Sequence, residues 1–260
     1  NFPHRLPGVN QETAALSRDL QAEVEFGRNL ASLILGRHPL KSSPEQQRYV
    51  NLVGRSLALQ GERQELDYRF AIIDSDQVNA YAAPGGYIFV TSSALGMMQD
   101  EAELAGVLAH EIAHVNRRHI VRELNIRGTG GGIESGLAHL LGGVGDSGRI
   151  AFNQALDKAV ELLFDSGLKK DDEYEADRAG TLLLTQSGYD PMALRRYLQR
   201  IKQSPASKTT VLSNTHPGFA ERLFQLDRKA VAGVELPGRV DQAHREIHVD
   251  ATVALFVGIG

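Results

Sequence analysis

His110-Glu-Ile-Ala-His114 sets two imidazoles and a carboxylate within five residues. At about 100° per residue in an α-helix, His110 and His114 lie only about 40° apart, one turn above the other. Two nitrogen donors on one helical face can grip a single Zn²⁺, and Glu111 on the same side can reach a water there as general base. Neutral ligands leave the ion strongly Lewis acidic, so that water becomes an effective nucleophile near neutral pH. With nine histidines in 260 residues, such a match arises by chance in about 1–2% of chains. Its context therefore decides: it sits mid-helix behind an N-cap, with the apolar residues directed away from the His pair.

Two histidines leave a tetrahedral site short of one protein ligand beside the open water position. The chain has no cysteine, so the third ligand is His, Glu or Asp. Asp171-Asp-Glu-Tyr-Glu-Ala-Asp-Arg178 is the acid-dense candidate. In a helix Glu173 and Asp177 are i,i+4 neighbours, so one can bind metal while the other hydrogen-bonds the free nitrogen of a ligand histidine. The same stretch also suits a solvated acidic first turn. Glu175 points to another face and reads as a surface residue. His119 should rotate away from the metal, and Arg117 and Arg118 should decorate a solvated helix end. His4, His38, His139, His244 and His248 lack partners at ligand spacing.

The elements that must position these residues follow from periodicity and punctuation. Residues 1–10 read as an extended arm, and the apolar positions Leu16, Leu20, Val24, Leu30, Leu33 and Ile34 predict a helix over 11–35. Ser43-Pro-Glu-Gln46 is a helix start with a capping box, for a helix running to about Gln60. Tyr68–Ile73 alternates like a strand, and 79–83 and 87–91 flank Pro84-Gly85-Gly86 like a hairpin. Asp100 caps the metal helix. The Gly-rich stretch 128–148 reads as flexible around a short helix at 134–141. Helices are expected near 151–164, 171–187, 191–203 and 217–232, with one or two late strands after Glu235. No linker is visible, which favours a single domain over 1–260: arm and helix 1–40, catalytic core 62–232 and tail 235–260.

Composition excludes several classes. Apolar residues at 42% and charged residues at 23% are ordinary globular values, and the net charge of −4 offers no basic field for a nucleic acid. Without cysteine, disulfides, thiolate zinc sites and cysteine nucleophiles are all excluded. No apolar run approaches the roughly 20 residues of a transmembrane segment.

Four stretches, taken in order, resemble the HtpX-like and CAAX-prenyl-protease-like zinc metallopeptidases, especially their soluble bacterial BepA-like members. They are Asn79-Ala-Tyr-Ala-Ala-Pro-Gly-Gly-Tyr-Ile-Phe-Val-Thr91, Glu101–His114, Glu173-Tyr-Glu-Ala-Asp177, and Thr215-His-Pro217 with Arg222. The resemblance implies a mainly helical α+β fold, a compact zincin-type (gluzincin-like) domain with a small β-sheet beside the metal helix. It implies one Zn²⁺ per chain held by His110, His114 and Glu173, with Glu111 activating water and Asp177 orienting a ligand histidine. Asn79, Ala80 and Tyr81 would form an exposed edge where substrate backbone adds as a strand.

His216 and Arg222 would lie near the site, His216 stabilising the oxyanion or taking the fourth zinc position in a resting state. Read alone, Thr215-His-Pro217 is simply a good helix start. The chain departs from the family at Ser93, where Gly is common, and at Phe164–Lys170, where a Ser-Arg pair is usual. The membrane helices of the embedded relatives are absent, which disfavours CAAX processing. The implied activity is endopeptidase cleavage of unfolded or misassembled polypeptides in bacterial envelope quality control. Envelope assembly machinery is the implied partner and the periplasm the implied location, a signal or anchor having been removed before Asn1. The rivals are a latent or non-proteolytic zinc-containing assembly factor and a hydrolase of small amides.

Overall fold

The computed structural model describes residues 7–124, 146–204, 212–216 and 218–231. Helix α1 spans Pro7–Arg37, so the segment expected as an arm is already helical from Pro7, whose fixed φ suits a first turn. Its buried side is Ala22, Phe26, Leu30, Ala31 and Ile34; Leu33, expected to share it, is exposed. Helix α2 spans Pro44–Ala58, with Pro44 in its first turn. The capping box does not form: the Ser43 side chain caps nothing, and Gln46 Oε1 has no partner.

Strands β1 (Arg69–Ile73), β2 (Ala80–Ala83) and β3 (Tyr87–Thr91) form a mixed sheet in the order β1-β3-β2. The expected hairpin joins β2 to β3 antiparallel, Ala80 opposite Val90 and Ala83 opposite Tyr87, while β1 runs parallel to β3. That leaves β2 at an edge. Alternate residues serve two cores. Phe70, Ile72, Ala80, Ala82, Ile88 and Val90 pack among side chains of α2 and the metal helix. Ile73, Tyr81, Ala83, Tyr87 and Phe89 pack towards α1. A sheet covered on both faces needs apolar residues in both phases, which is why these strands read almost continuously hydrophobic.

Helix α3 (Ser92–Gly96) leads to α4 (Glu101–Asn116), which carries both motif histidines. Asp100 caps α4 as expected, its Oδ1 accepting from the Glu103 amide at 2.8 Å. The expectation of one apolar face is corrected: every residue from Glu103 to Val115 is buried. A helix packed on all sides is a core element, so the His pair lies inside the protein. Arg117 and Arg118 are not solvated decoration either. Arg118 pairs with Asp19 at 2.9 Å and Glu23 at 3.0 Å on α1, and Arg117 with Glu62 at 2.7 Å. These pairs tie the end of the metal helix to the chain's first half, where Gly27 of α1 lies so close to Pro84 O that no Cβ would fit.

Next come α5 (His119–Glu123) and α6 (Asp146–Glu161), which widens into a π-helical turn at Leu162–Ser166. They are followed by α7 (Lys170–Gln186), α8 (Ala193–Gln203), the short α9 (Leu212–Thr215) and α10 (Phe219–Val231). Helix α6 begins inside the stretch expected to be flexible; the rest of that stretch, with the helix expected at 134–141, lies outside the described residues, as do the late strands. The fold is thus mainly helical with one small sheet beside the metal helix. Among the described residues, no helix is long and apolar enough to cross a membrane.

Helices α4 and α7 meet at Gly180, where a Cβ would stand 3.0 Å from the His110 backbone nitrogen. Neither helix can yield, because backbone faces backbone. Gly180→Val is expected to lower stability by about 1–3 kcal/mol through overpacking, read by urea unfolding, and to weaken metal uptake because it pushes Glu173 away from the His pair.

Candidate metal centre

His110 and His114 project from α4 with their Nε2 atoms 3.0 Å apart. Glu173, in the first turns of α7, brings Oε2 to 3.5 Å from His110 Nε2 and Oε1 to 3.5 Å from His114 Nε2. Zn–N and Zn–O bonds of about 2.0–2.1 Å in a tetrahedron set ligands roughly 3.3 Å apart. The three donors therefore converge at the spacing one zinc ion needs, and nitrogen with carboxylate is a chemistry it accepts. The His216 ring lies within the same group, and all four residues are buried. Glu111 stands beside them with its Oε2 buried and unpartnered, as a base waiting for a water would be.

Behind the donors lies a carboxylate–guanidinium pair. Asp177 Oδ1 is 3.0 Å from His110 Nδ1. Arg222 on α10 donates to Asp177 through Nε at 2.8 Å and Nη2 at 2.7 Å, and its Nη1 lies 2.8 Å from Glu173 Oε2. Burial works against the charge on Arg222, but Asp177 and Glu173 outweigh it and raise its pKa. Burial alone would raise both carboxyls; His216 and Arg222 for Glu173, and Arg222 and His110 for Asp177, hold them below their usual range instead. Burial drives His114 well below its usual pKa, towards the neutral form a ligand requires. On His110, burial and Arg222 pull downward, but Asp177 and Glu173 prevail and lift it to about 9. Burial raises the Glu111 carboxyl, which favours its acting as a proton acceptor near neutrality.

His216 follows α9 and stands over this group. Its Nδ1 is 3.1 Å and 3.2 Å from the Glu173 oxygens, its Nε2 3.4 Å from Ala80 O on the edge strand, and 3.9 Å from Glu111 Oε1. Asn79 donates to Thr215 Oγ1 at 3.2 Å, which fastens α9 to the start of β2. The edge residues Ala80 and Tyr81 are buried, so the strand is an edge by topology yet covered by its own chain.

The sequence pattern of peptidase family M48 matches residues 44–230. The chain belongs to peptidase family M48. It is 28% identical over 245 residues to the β-barrel assembly-enhancing protease of Yersinia pestis, covering 86% of this chain and 47% of that protein. Similar matches are the mitochondrial metalloendopeptidase OMA1 of Bos taurus, at 27% over 181 residues (63% and 32%), and a protease HtpX homolog of Burkholderia mallei, at 31% over 169 residues (60% and 57%). The chain spans about half the length, or less, of the first two relatives. Family M48 enzymes are metal-dependent hydrolases, in keeping with the buried donor group.

Within this M48 domain the structure gathers His110, Glu111, His114, Glu173, Asp177, His216 and Arg222 in one place, from α4, α7, α10 and the segment after α9. Sequence reasoning missed His119. It does turn from the donors, yet it is fully buried with its Nδ1 2.7 Å from His114 Nδ1. Glu175 is no free surface residue: Oε2 lies 3.3 Å from His119 Nε2 and accepts from Arg122 at 3.1 Å. Spacing cannot reveal these contacts, because a backbone bend at Arg118 (φ 55°) creates them.

Arg222, only 1% exposed, bridges Glu173 and Asp177 of α7. Arg222→Met leaves two buried carboxylates facing each other without it. In the metal-free protein the change is expected to lower the unfolding free energy by about 3–5 kcal/mol, measured by urea unfolding; zinc should restore part of the loss.

Proposed function

We propose that this chain is a zinc-dependent endopeptidase acting on unfolded or misassembled polypeptides. The observation that carries the reading is the convergence of His110, His114 and Glu173 at tetrahedral spacing, with Glu111 in the same buried group and its Oε2 free of any hydrogen bond. These three residues would hold the zinc. A zinc ion there supplies Lewis acidity, lowering the pKa of a water and polarising a carbonyl. Glu111 takes a proton from the attacking water and later passes it to the leaving amine. Asp177, fixed by Arg222, orients His110 from behind.

The substrate class follows from what surrounds the base. β2 is an edge strand, and once the His216 segment moves aside its main-chain groups would pair with an extended polypeptide of any sequence. Two small hollows flank Glu111 and His216. Val107, Leu194 and Leu198 line the first, Leu162, Leu163 and Leu168 the second. Apolar walls on both sides of the scissile position favour the exposed hydrophobic segments of unfolded proteins over small amides. The likeness to β-barrel assembly-enhancing proteases supports a place in envelope quality control, hence an extracytoplasmic location and contact with envelope assembly machinery. In this reading residues 1–260 act as one metallopeptidase domain.

Cleavage of casein by zinc-loaded protein, with Glu111→Gln as control, tests the reading. The variant should keep its zinc and lose about 10²–10⁴-fold in rate, the usual contribution of a general base. Equal cleavage by both would reject Glu111 as the base.

A second reading, a latent form of the same enzyme, is favoured by His216. Its contacts with Glu173 and with Ala80 O support a role as a cover over the donors and the edge strand. In that form His216 would take the fourth zinc position; in the open form it would serve the oxyanion. His216→Ala separates these roles: casein cleavage should rise if His216 is chiefly a cover, and fall about 10²–10³-fold if it is chiefly the oxyanion donor.

A further inference from the structure

Helix α5 begins immediately after Arg118, the one non-glycine residue with left-handed backbone among those described. That bend folds His119 back beside the helix the chain has just left. His119 is fully buried, and the reaction proposed above does not use it.

A histidine that offers Nε2 to a metal keeps its proton on Nδ1, and the partner of that proton decides how the ring is held. His114 turns Nε2 towards His110 and Glu173, so its Nδ1–H faces the His119 Nδ1 at 2.7 Å. The two nitrogens cannot both donate. His119 must accept, which places its own proton on Nε2, 3.3 Å from Glu175 Oε2 and 3.7 Å from Asp172 Oδ1. Arg122 holds both acids, donating to Glu175 at 3.1 Å and Asp172 at 3.0 Å, and Arg117 Nε lies 3.4 Å from Glu175. Both histidine protons point the same way, from His114 outward to His119 and on to the two carboxylates, which Arg122 and Arg117 hold from the other side.

We propose that His119 is a positioning residue of the metal centre, accepting the Nδ1 proton of His114 and thereby fixing that ligand's tautomer and ring plane. The inference rests on His114 being a metal ligand. It gives the two ligand histidines different supports: His110 backs onto an anion, Asp177, and His114 onto a neutral ring. His119, Asp172 and Glu175 also lie close enough together to hold a cation of their own. Arg122 speaks against this, because it already bonds an oxygen of each carboxylate.

The test compares the zinc-loaded full chain with His119→Asn and His119→Leu. Asparagine keeps an acceptor oxygen near the position of Nδ1; leucine fills similar space without one. Metal per chain is counted by elemental analysis, zinc release is followed with a chromogenic chelator, and the cobalt-substituted proteins are compared by absorption. The expected result is one metal per chain, release about 10–100-fold faster in His119→Leu with an altered cobalt spectrum, and near-parental release and spectrum in His119→Asn. Parental release from His119→Leu overturns the inference, and equal acceleration in both variants reduces His119 to packing. A second metal per parental chain, lost in both variants, would make His119 a ligand of a separate site. A parent that holds no zinc sinks the metal-centre reading itself, and this inference with it. If His119→Leu does not fold, His119→Asn decides alone: near-parental release supports the role, faster release rejects it.

Discussion

The backbone contact between α4 and α7 governs this protein. Two ligands one turn apart come from a single helix at no tertiary cost, but the third must arrive from elsewhere within a few tenths of an ångström. On α7, Glu173, Asp177 and Gly180 fall at i, i+4 and i+7, one stripe along one face. The glycine end of that stripe presses on the backbone of His110. Its acidic end consequently reaches the side chains of His110 and His114. Close approach and ligand placement are one geometric fact, set by a residue with no side chain. Around it, α2, the sheet and α8 enclose α4 until none of its central residues meets solvent, so the helix has no direction in which to shift.

Such enclosure forces a balance of charge. Glu111, Glu173 and Asp177 are three buried carboxylates, and the single positive charge of Arg222 is shared between Glu173 and Asp177. Ionised groups are tolerated inside a protein only when paired or bound to metal. The same crowding shifts the other groups of the site: against burial, Asp177 and Glu173 lift His110 to about 9, and burial raises the Glu111 carboxyl. A divalent cation between neutral histidines would balance the three acids together with Arg222.

How much of this could be read from the sequence depends on what each feature requires. The His pair, its Asp100 cap, the hairpin and the acid-rich helix declare themselves through local chemistry and period, and the structure has them close to where they were expected. Glu173 over its neighbours was a matter of helical phase together with family likeness. His119 was out of reach, because periodicity assumes an unbroken helix, and one left-handed residue at Arg118 redirects everything after it. Ser43 shows the opposite failure: the pattern for a capping box is present, but the side-chain bond is not made. The burial of α4 on every side was equally hidden, since its small residues Ala105, Gly106, Ala109 and Ala113 read as neutral in a pattern yet are what allow neighbours to close in.

The centre and its cover differ in how firmly they are held. Arg222, Asp177 and Glu173 form a buried network of charged hydrogen bonds, and breaking such a set exposes uncompensated ions. The segment after α9 meets the Glu173 carboxylate through His216 Nδ1 at 3.1 Å, and rests on the edge strand through contacts of another order: Asn79 with Thr215, and His216 with Ala80 O at 3.4 Å. Neutral hydrogen bonds of this kind contribute about 0.5–1.5 kcal/mol each. An extended polypeptide adding to β2 would replace them with main-chain bonds and bury apolar side chains in the flanking hollows as well. On the proposed function, an unfolded segment would have to displace His216 from Glu173 as well as from the edge, while the metal cage stays in place. A short polar peptide, offering fewer of those contacts, would find the same edge occupied.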